Sequence, residues 1–268
     1  MKTWLIAGAA ALGLTLTAIP QAEAKSLEDI LSDGTIRIGI NPNFPNMSTR
    51  DENGEWQGFD IEIGTLIAEK LGVEVEWVPT ETAQRVPFLV SDRIDVSMGA
   101  LTRNSERAKL IDYTAPLHTE VLAVLATDQI EGETWQDFNK EGVTLANMRG
   151  NWTVGWIEEN MPEVEIELTD SIADTVRLVA QGRADAIVEN IDFFMGFTGN
   201  FDNVSWRVVP EPIFTAYCAL GVSQGNDTLT EVLNIILYDL HSEGTVKAVW
   251  EENYGAAMLR EVPVTPWF

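Results

Sequence analysis

The sequence predicts an α/β fold with a parallel sheet covered on both faces, and three observations carry that prediction. Apolar strand-like runs alternate with helical patterns in β-α-β order from Thr35 onward. The string LVSDRIDV (89–96) is echoed by VAQGRADAIV (179–188), each a helix end, an Arg-x-Asp turn and a strand, which predicts two similar lobes facing one cleft. Glu120 to Thr127, EVLAVLAT, is a long extended segment suited to crossing between two bodies, and Ile213 to Val222 is placed to bring the chain back.

Residues 1–24 read as an export leader: Lys2 supplies a positive start, Leu5 to Ile19 an apolar core, and Ala22, Glu23 and Ala24 a small-residue cleavage site. No cysteine stands there to carry a lipid, so the mature chain is expected to begin near Lys25, exported and soluble. No later apolar run reaches the roughly 20 residues of a spanning helix.

Thr35 to Ile40 predicts a buried strand that delivers Asn41 and Phe44 into a loop, where Phe44 either covers a ligand or packs in the core. Asp60 is placed to cap a helix carrying Ile63, Leu66, Ile67 and Leu71, which Gly72 ends. A strand over Val73 to Val78, a helix over Arg85 to Ser91 and a strand over Ile94 to Met98 follow. The next segment, GALTRNSERAKLIDYTAP (99–116), lies beyond a strand's carboxyl end, where open α/β sheets hold ligands. There the planar fork of Arg107, the Thr102 hydroxyl and the N–H groups of Gly99 and Ala100 suit a carboxylate, although a solvated arginine in a charged turn has the same sequence. Asp112 reads as a turn and cap residue.

Glu131 to Glu141 is a polar surface region anchored by Trp135 and Phe138. Val143 to Asn147 predicts a strand feeding Gly150, Asn151 and Trp152, with Gly150 either admitting a ligand close to the backbone or simply turning the chain. A strand over Pro162 to Leu168 leads to a helix over Ser171 to Gln181, capped by Ser171 and Asp174 and closed by Gly182. Leu229, Val232, Leu233, Ile236, Leu237 and Leu240 form one apolar stripe of a core helix.

A formal net charge of −25 excludes nucleic acid as a natural partner, since binding it needs a basic face, and is read as serving solubility. Losing Lys2 and Glu23 with the leader leaves that balance unchanged. Cys218 is the sole cysteine, so no internal disulfide forms and a buried, small hydrophobic role is expected. His118 and His241 lack zinc-site spacing, and Ser97 and Ser105 have no local histidine partner, so no metal, cofactor or catalytic residue is expected.

Five segments together, GTIRIGI (34–40), GEWQGFDIEIGTLIAEKLGVEVEWV (54–78), ERAKLIDYTAP (106–116), GRADAIVEN (182–190) and EGTVKAVWEENYG (243–255), resemble the family 3 solute-binding proteins, periplasmic receptors of polar amino acid ABC transporters. The resemblance implies a two-lobed type II periplasmic-binding-protein fold with two hinge strands and a central mixed sheet in each lobe. It places lobe 1 at 25–119 plus 218–268 and lobe 2 at 120–217. By the same resemblance Arg107 clamps the ligand's α-carboxylate with Thr102 as helper, Phe44 stacks on the ligand and Asn41 reads its side chain. Gly150, Asn151 and Trp152 replace a Gly-Thr-Thr stretch that supplies further carboxylate donors, and the bulk of Trp152 suggests an aromatic wall.

One departure concerns Asn190, which stands where relatives carry the aspartate that pairs with the ligand's ammonium. Strand alternation is expected to turn the neighbouring Glu189 away from that side. Arg85, in AQRVPFL (83–89), either faces the cleft and favours an anion or points to solvent. The resemblance implies a non-enzymatic, monomeric periplasmic receptor whose partners are an amino acid or related organic acid and a membrane permease. The alternative is a cyclohexadienyl or arogenate-type dehydratase on the same fold, with Glu189 as its acid.

Overall fold

The hydroxyl of Ser26 accepts the Asp29 N–H and starts α1 (Leu27–Asp33), and Gly34, left-handed at φ 68°, turns the chain into β1 (Thr35–Ile40). The computed structural model describes residues 25–191 and 198–263; the leader expected over 1–24 lies outside them. A short hairpin, β2 (Thr49–Arg50) and β3 (Trp56–Gln57), precedes α2 (Phe59–Leu71), β4 (Glu74–Pro79), α3 (Arg85–Val90) and β5 (Val96–Ser97). The chain then runs through β6 (Ile111–Thr127), β7 (Thr144–Met148), α4 (Trp152–Asn160), β8 (Glu165–Thr169), α5 (Ile172–Ala180) and β9 (Ala186–Asn190). β10 (Trp206–Val208), β11 (Phe214–Ser223), α6 (Asp227–Ser242) and α7 (Thr245–Tyr254) complete it.

The strands are ordered β4-β1-β5-β11-β6-β9-β7-β8, with β10 added on β6. β1 is parallel to β4 and β5, and β7 is parallel to β8 and β9. β6 and β11 run antiparallel to each other and to β9 and β5 respectively, so the sheet is mixed rather than wholly parallel. The reason is topological. A chain that leaves one lobe along a strand and returns along its neighbour needs no helical crossover, and such neighbours are antiparallel. Ile111 to Pro116 of β6 pair with the Ala219 to Ser223 end of β11, whereas Leu122 to Ala126 pair with β9. The molecule is therefore two-lobed, with β6 and β11 spanning both halves.

The echoed Arg-x-Asp turns have a shared structural task. Asp95 Oδ2 accepts the Arg37 N–H at the start of β1 (2.8 Å), and Asp185 Oδ2 accepts the Thr144 N–H at the start of β7 (2.7 Å). In each lobe a carboxylate satisfies a backbone donor that the entering strand would otherwise leave unpaired. Both motifs then launch a strand whose far end opens toward the same gap.

Two sequence expectations change here. Asp60 does not cap α2, whose N-cap is Gly58; its buried carboxylate accepts the Gly99 N–H at 2.7 Å. Asp112 lies inside β6, opposite Val222, and its Oδ2 accepts the Gly225 N–H at 2.7 Å. The segment from Trp152 to Asn160 is helical although its apolar residues form no single stripe; Asn151 caps it by accepting the Thr153 N–H. Ser171 and Asp174 cap α5 as expected.

Around the sheet, Ile36, Ile38, Phe59, Ile63 and Ile67 pack with Trp250 in one core, and Phe138, Leu145, Ile157 and Val188 form another in the opposite lobe. Cys218 is buried. His118 is buried edge-on against Phe59, and His241 bonds the Pro116 carbonyl.

Candidate functional site

The gap between the lobes is bordered by strand carboxyl ends, which is where this kind of sheet leaves its backbone polar groups and loops free to meet a ligand. β1 leads to Phe44, β5 to Gly99, Ala100 and Thr102, β7 to Met148 and Asn151, and β9 ends on Glu189 and Asn190; all of these line one pocket. Thr82 and Arg85 enter from the start of α3, and Glu120 from the crossing strand β6. The walls meet closely and enclose about 20 Å³, room for a water molecule or two.

Arg85 is the cation of this pocket. It is 5 % exposed, and its guanidinium donates to the carbonyls of Thr82, Gly99 and Ala100. Burial, and secondarily the nearby Arg107, lower its pKa to about 10, so it remains charged. The loop it holds is conformationally costly: Ala100 sits at φ 54°, a left-handed geometry unfavourable for a residue with a Cβ. Asp60 secures the same loop from behind, and burial pushes its carboxyl up to about 7 despite the Gly99 N–H and the field of Arg85.

Two carboxylates face Arg85. Glu120 is 4 % exposed and its Oε2 accepts from the Thr102 hydroxyl at 3.2 Å. Glu189 is also buried; its Oε1 accepts the Asn190 N–H at 3.0 Å and its Oε2 accepts from the Asn151 amide. Burial raises the Glu189 carboxyl to about 8, with the Glu120 charge adding to the rise. The strand alternation expected to separate Glu189 from Asn190 does not do so: both line the pocket, because β9 ends there and its last side chains meet the gap from the strand's end.

Arg107 stands at the mouth. Its Nη1 donates to the Thr102 carbonyl (3.1 Å) and its Nη2 to the Gly150 carbonyl of the opposite lobe (3.0 Å). With Thr82, Arg85 and Gly150 it lines an adjoining cavity of about 310 Å³. Asn41 is buried behind the pocket, its Nδ2 donating to Thr82 Oγ1 at 3.3 Å. Trp152 is not at the pocket; its ring packs edge-to-face on Phe214, with centroids 5.1 Å apart. Phe44 does both things open to it, lining the pocket while belonging to the core.

The structure thus gathers Phe44, Arg85, Ala100, Thr102, Asn151 and Asn190 at one pocket, sets Arg107 and Gly150 at its mouth, and leaves Asn41 and Trp152 behind its walls. Sequence reasoning missed Glu120, Thr82 and Met148. For Glu120 a signal existed: it is the lone carboxylate between Leu117 and Thr127, a stretch buried throughout.

Two lobes joined by paired crossing strands, with a buried polar pocket where strand ends face one another, define a hinged receptor for a small polar solute. The chain belongs to the bacterial extracellular solute-binding proteins, family 3, matching over residues 36–256. It is 22 % identical over 256 residues to the glutamate-binding protein GluB of Corynebacterium efficiens, covering 91 % of this chain and 87 % of that one. It is also 24 % identical over 186 residues to the cyclohexadienyl dehydratase of Pseudomonas aeruginosa, covering 69 % of each. Among solved structures, the solute receptor for L-cysteine of Neisseria gonorrhoeae superposes with a TM-score of 0.79 at 26 % identity, over 85 % of this chain and 93 % of that one. The shared architecture is the type II periplasmic-binding-protein fold.

Proposed function

We propose that this protein is the periplasmic receptor of an ABC importer: it captures an amino acid or related small zwitterion between its lobes, closes, and presents the closed form to a membrane permease. The observation that carries the reading is the opposition, inside one interlobe pocket, of a buried guanidinium, Arg85, and the buried carboxyl groups of Glu120 and Glu189. A zwitterion supplies complementary charges, and closure removes it from water, where each contact gains strength.

In this reading the division falls at 25–119 plus 218–268 against 120–217, and residues 1–24 are removed on export. Arg85 and Arg107 hold the ligand's carboxylate, Arg107 from the mouth, with Thr102 and the Ala100 backbone completing that pole. Phe44 covers the ligand, Asn151 and Asn190 offer amide donors and acceptors, and Asn41 positions Thr82. Gly150 lets the lobes meet. The receptor works as a monomer, without cofactor or catalytic step and with no nucleic-acid partner.

Parting of the lobes releases Arg107 from the Gly150 carbonyl and frees it for an incoming carboxylate. Replacing Arg107 with Ala is expected to abolish the thermal shift given by the cognate ligand in a screen of amino acids, betaines, sulfonates and organic acids, with the circular dichroism unchanged. An undiminished shift in that variant rejects the assignment.

A second reading has its own observation. Glu189 holds a proton near neutrality, which is what a general acid needs, and the dehydratase similarity points to the same chemistry. Turnover of prephenate or arogenate to an aromatic product, lost in Glu189→Gln, favours this reading over the receptor.

A further inference from the structure

The pocket gathers more acids than cations. Among the described residues Arg85 is its only cationic lining residue, against the two acids Glu120 and Glu189. Neither acid has a Lys, Arg or His partner within 4.0 Å among the described residues. The neighbours that donate to them are neutral: the Thr102 hydroxyl at Glu120, and the Asn151 amide and the Asn190 N–H at Glu189. Two buried acids with no cation in direct contact form an arrangement that a cationic group completes, the proton on Glu189 leaving as that group arrives.

An independent observation concerns Arg85. Its Nε and Nη1 serve the Thr82, Gly99 and Ala100 carbonyls, while Nη2 makes no hydrogen bond among the described residues; the residue, 5 % exposed, lines the pocket. A guanidinium donor left open in a buried wall matches a carboxylate. The pocket therefore has one pole for a carboxylate and two for cations. Arg85 comes from α3, whereas Glu120 and Glu189 come from the paired neighbours β6 and β9.

We propose that the cleft selects an amino acid with a second cationic centre on its side chain, its carboxylate on Arg85 and its two cationic groups on Glu120 and Glu189. The inference rests on the amino-acid-receptor reading and deepens it. It also accounts for Asn190: with Glu189 facing the pocket, the negative charge absent at position 190 is supplied one residue earlier, and Glu120 adds a second. The competing possibility is that Glu189 keeps its proton in the complex, so that the pocket balances a simple zwitterion.

The test compares L-arginine with L-citrulline, which has nearly the same shape and a neutral ureido group, by calorimetry on the wild-type protein, Glu120→Gln and Glu189→Gln. L-lysine and L-glutamine form a second pair. The expected result is tighter binding of the cationic member of each pair by about tenfold or more, with the preference falling to within about threefold in at least one Gln variant. Circular dichroism identifies any variant that fails to fold, and the other then carries the comparison. Equal or tighter binding of the neutral member, or a cationic preference intact in both folded variants, overturns the inference. If a neutral or acidic amino acid binds while both cationic ones do not, the receptor reading stands and this inference falls. If no amino acid binds at all, both fall.

Discussion

At position 150 a side chain has no room. Gly150 lies at φ 78°, and a Cβ there would stand 2.7 Å from the Ala83 Cα of the opposite lobe. Gly142 has a similar φ of 86° but open space around its Cβ position, so it separates backbone strain from interlobe contact. Strain alone is expected to cost either Ala variant about 1–3 kcal/mol. Gly150→Ala should in addition enlarge the radius of gyration of the ligand-free protein and weaken ligand binding, whereas Gly142→Ala should change only stability. Equal scattering profiles for the two variants would contradict this account.

Asp60 and Glu189 belong to the same scale. Their carboxyls are raised by burial to about 7 and about 8, so the folded chain keeps protons that the unfolded chain releases. Stability linked to these groups is therefore highest at acid pH and falls as pH rises from the ordinary carboxylate range toward those raised values, with a slope of up to about 1.4 kcal/mol per pH unit for each group. Unfolding followed from about pH 5 to about pH 8 should show this decline in the ligand-free protein, and Asp60→Asn or Glu189→Gln should flatten it. The groups facing Glu189 are Glu120 and Arg85, and neither reverses the sign. A slope unaffected by both substitutions rules out these two carboxyls as its source.

Among the elements, β6 matters most to function, because its two ends belong to different pairings while its middle carries Glu120 into the pocket. The position of that carboxylate was open to reading: a charge inside an extended apolar run is either exposed on an edge or placed there for a purpose. The path of the strand was less accessible. LIDYTAP has few signs of a strand start, and only pairing of Ile111 with Ser223 and Tyr113 with Gly221 extends β6 that far upstream. The Arg-x-Asp echo was legible as a pattern, yet its physical meaning, a carboxylate closing the open donor of a neighbouring strand, needed Arg37 and Thr144 brought alongside. β11 shifts register between Cys218 and Ala219 and again before Gly221, placing irregular pairing in the span between the lobes.

For the whole molecule, a pocket of about 20 Å³ means that ligand enters only when the lobes separate. Motion about β6 and β11, the two strands that span both halves, provides this. Ligand at about a hundred times its dissociation constant is expected to raise stability by about 2.7 kcal/mol and to stabilise the compact arrangement. A thermal shift without reduced scattering dimensions relative to an open, ligand-free ensemble would argue against hinge closure.

Strands β1, β4, β5, β7 and β8 with helices α2, α3, α5 and α6, the Arg-x-Asp echo and the acidic, disulfide-free character were settled by the amino-acid sequence, because hydrophobic period, turn chemistry and charge are local properties; α1, α4, α7 and the short strands β2, β3 and β10 were not. Which side chains share one volume was decided only by the tertiary structure. Asp60 meets Gly99, Arg85 faces Glu120 and Glu189, and Arg107 reaches Gly150 across the cleft because strand pairing brings together residues far apart along the chain. No local pattern encodes that convergence, and the pocket's charge balance depends on it.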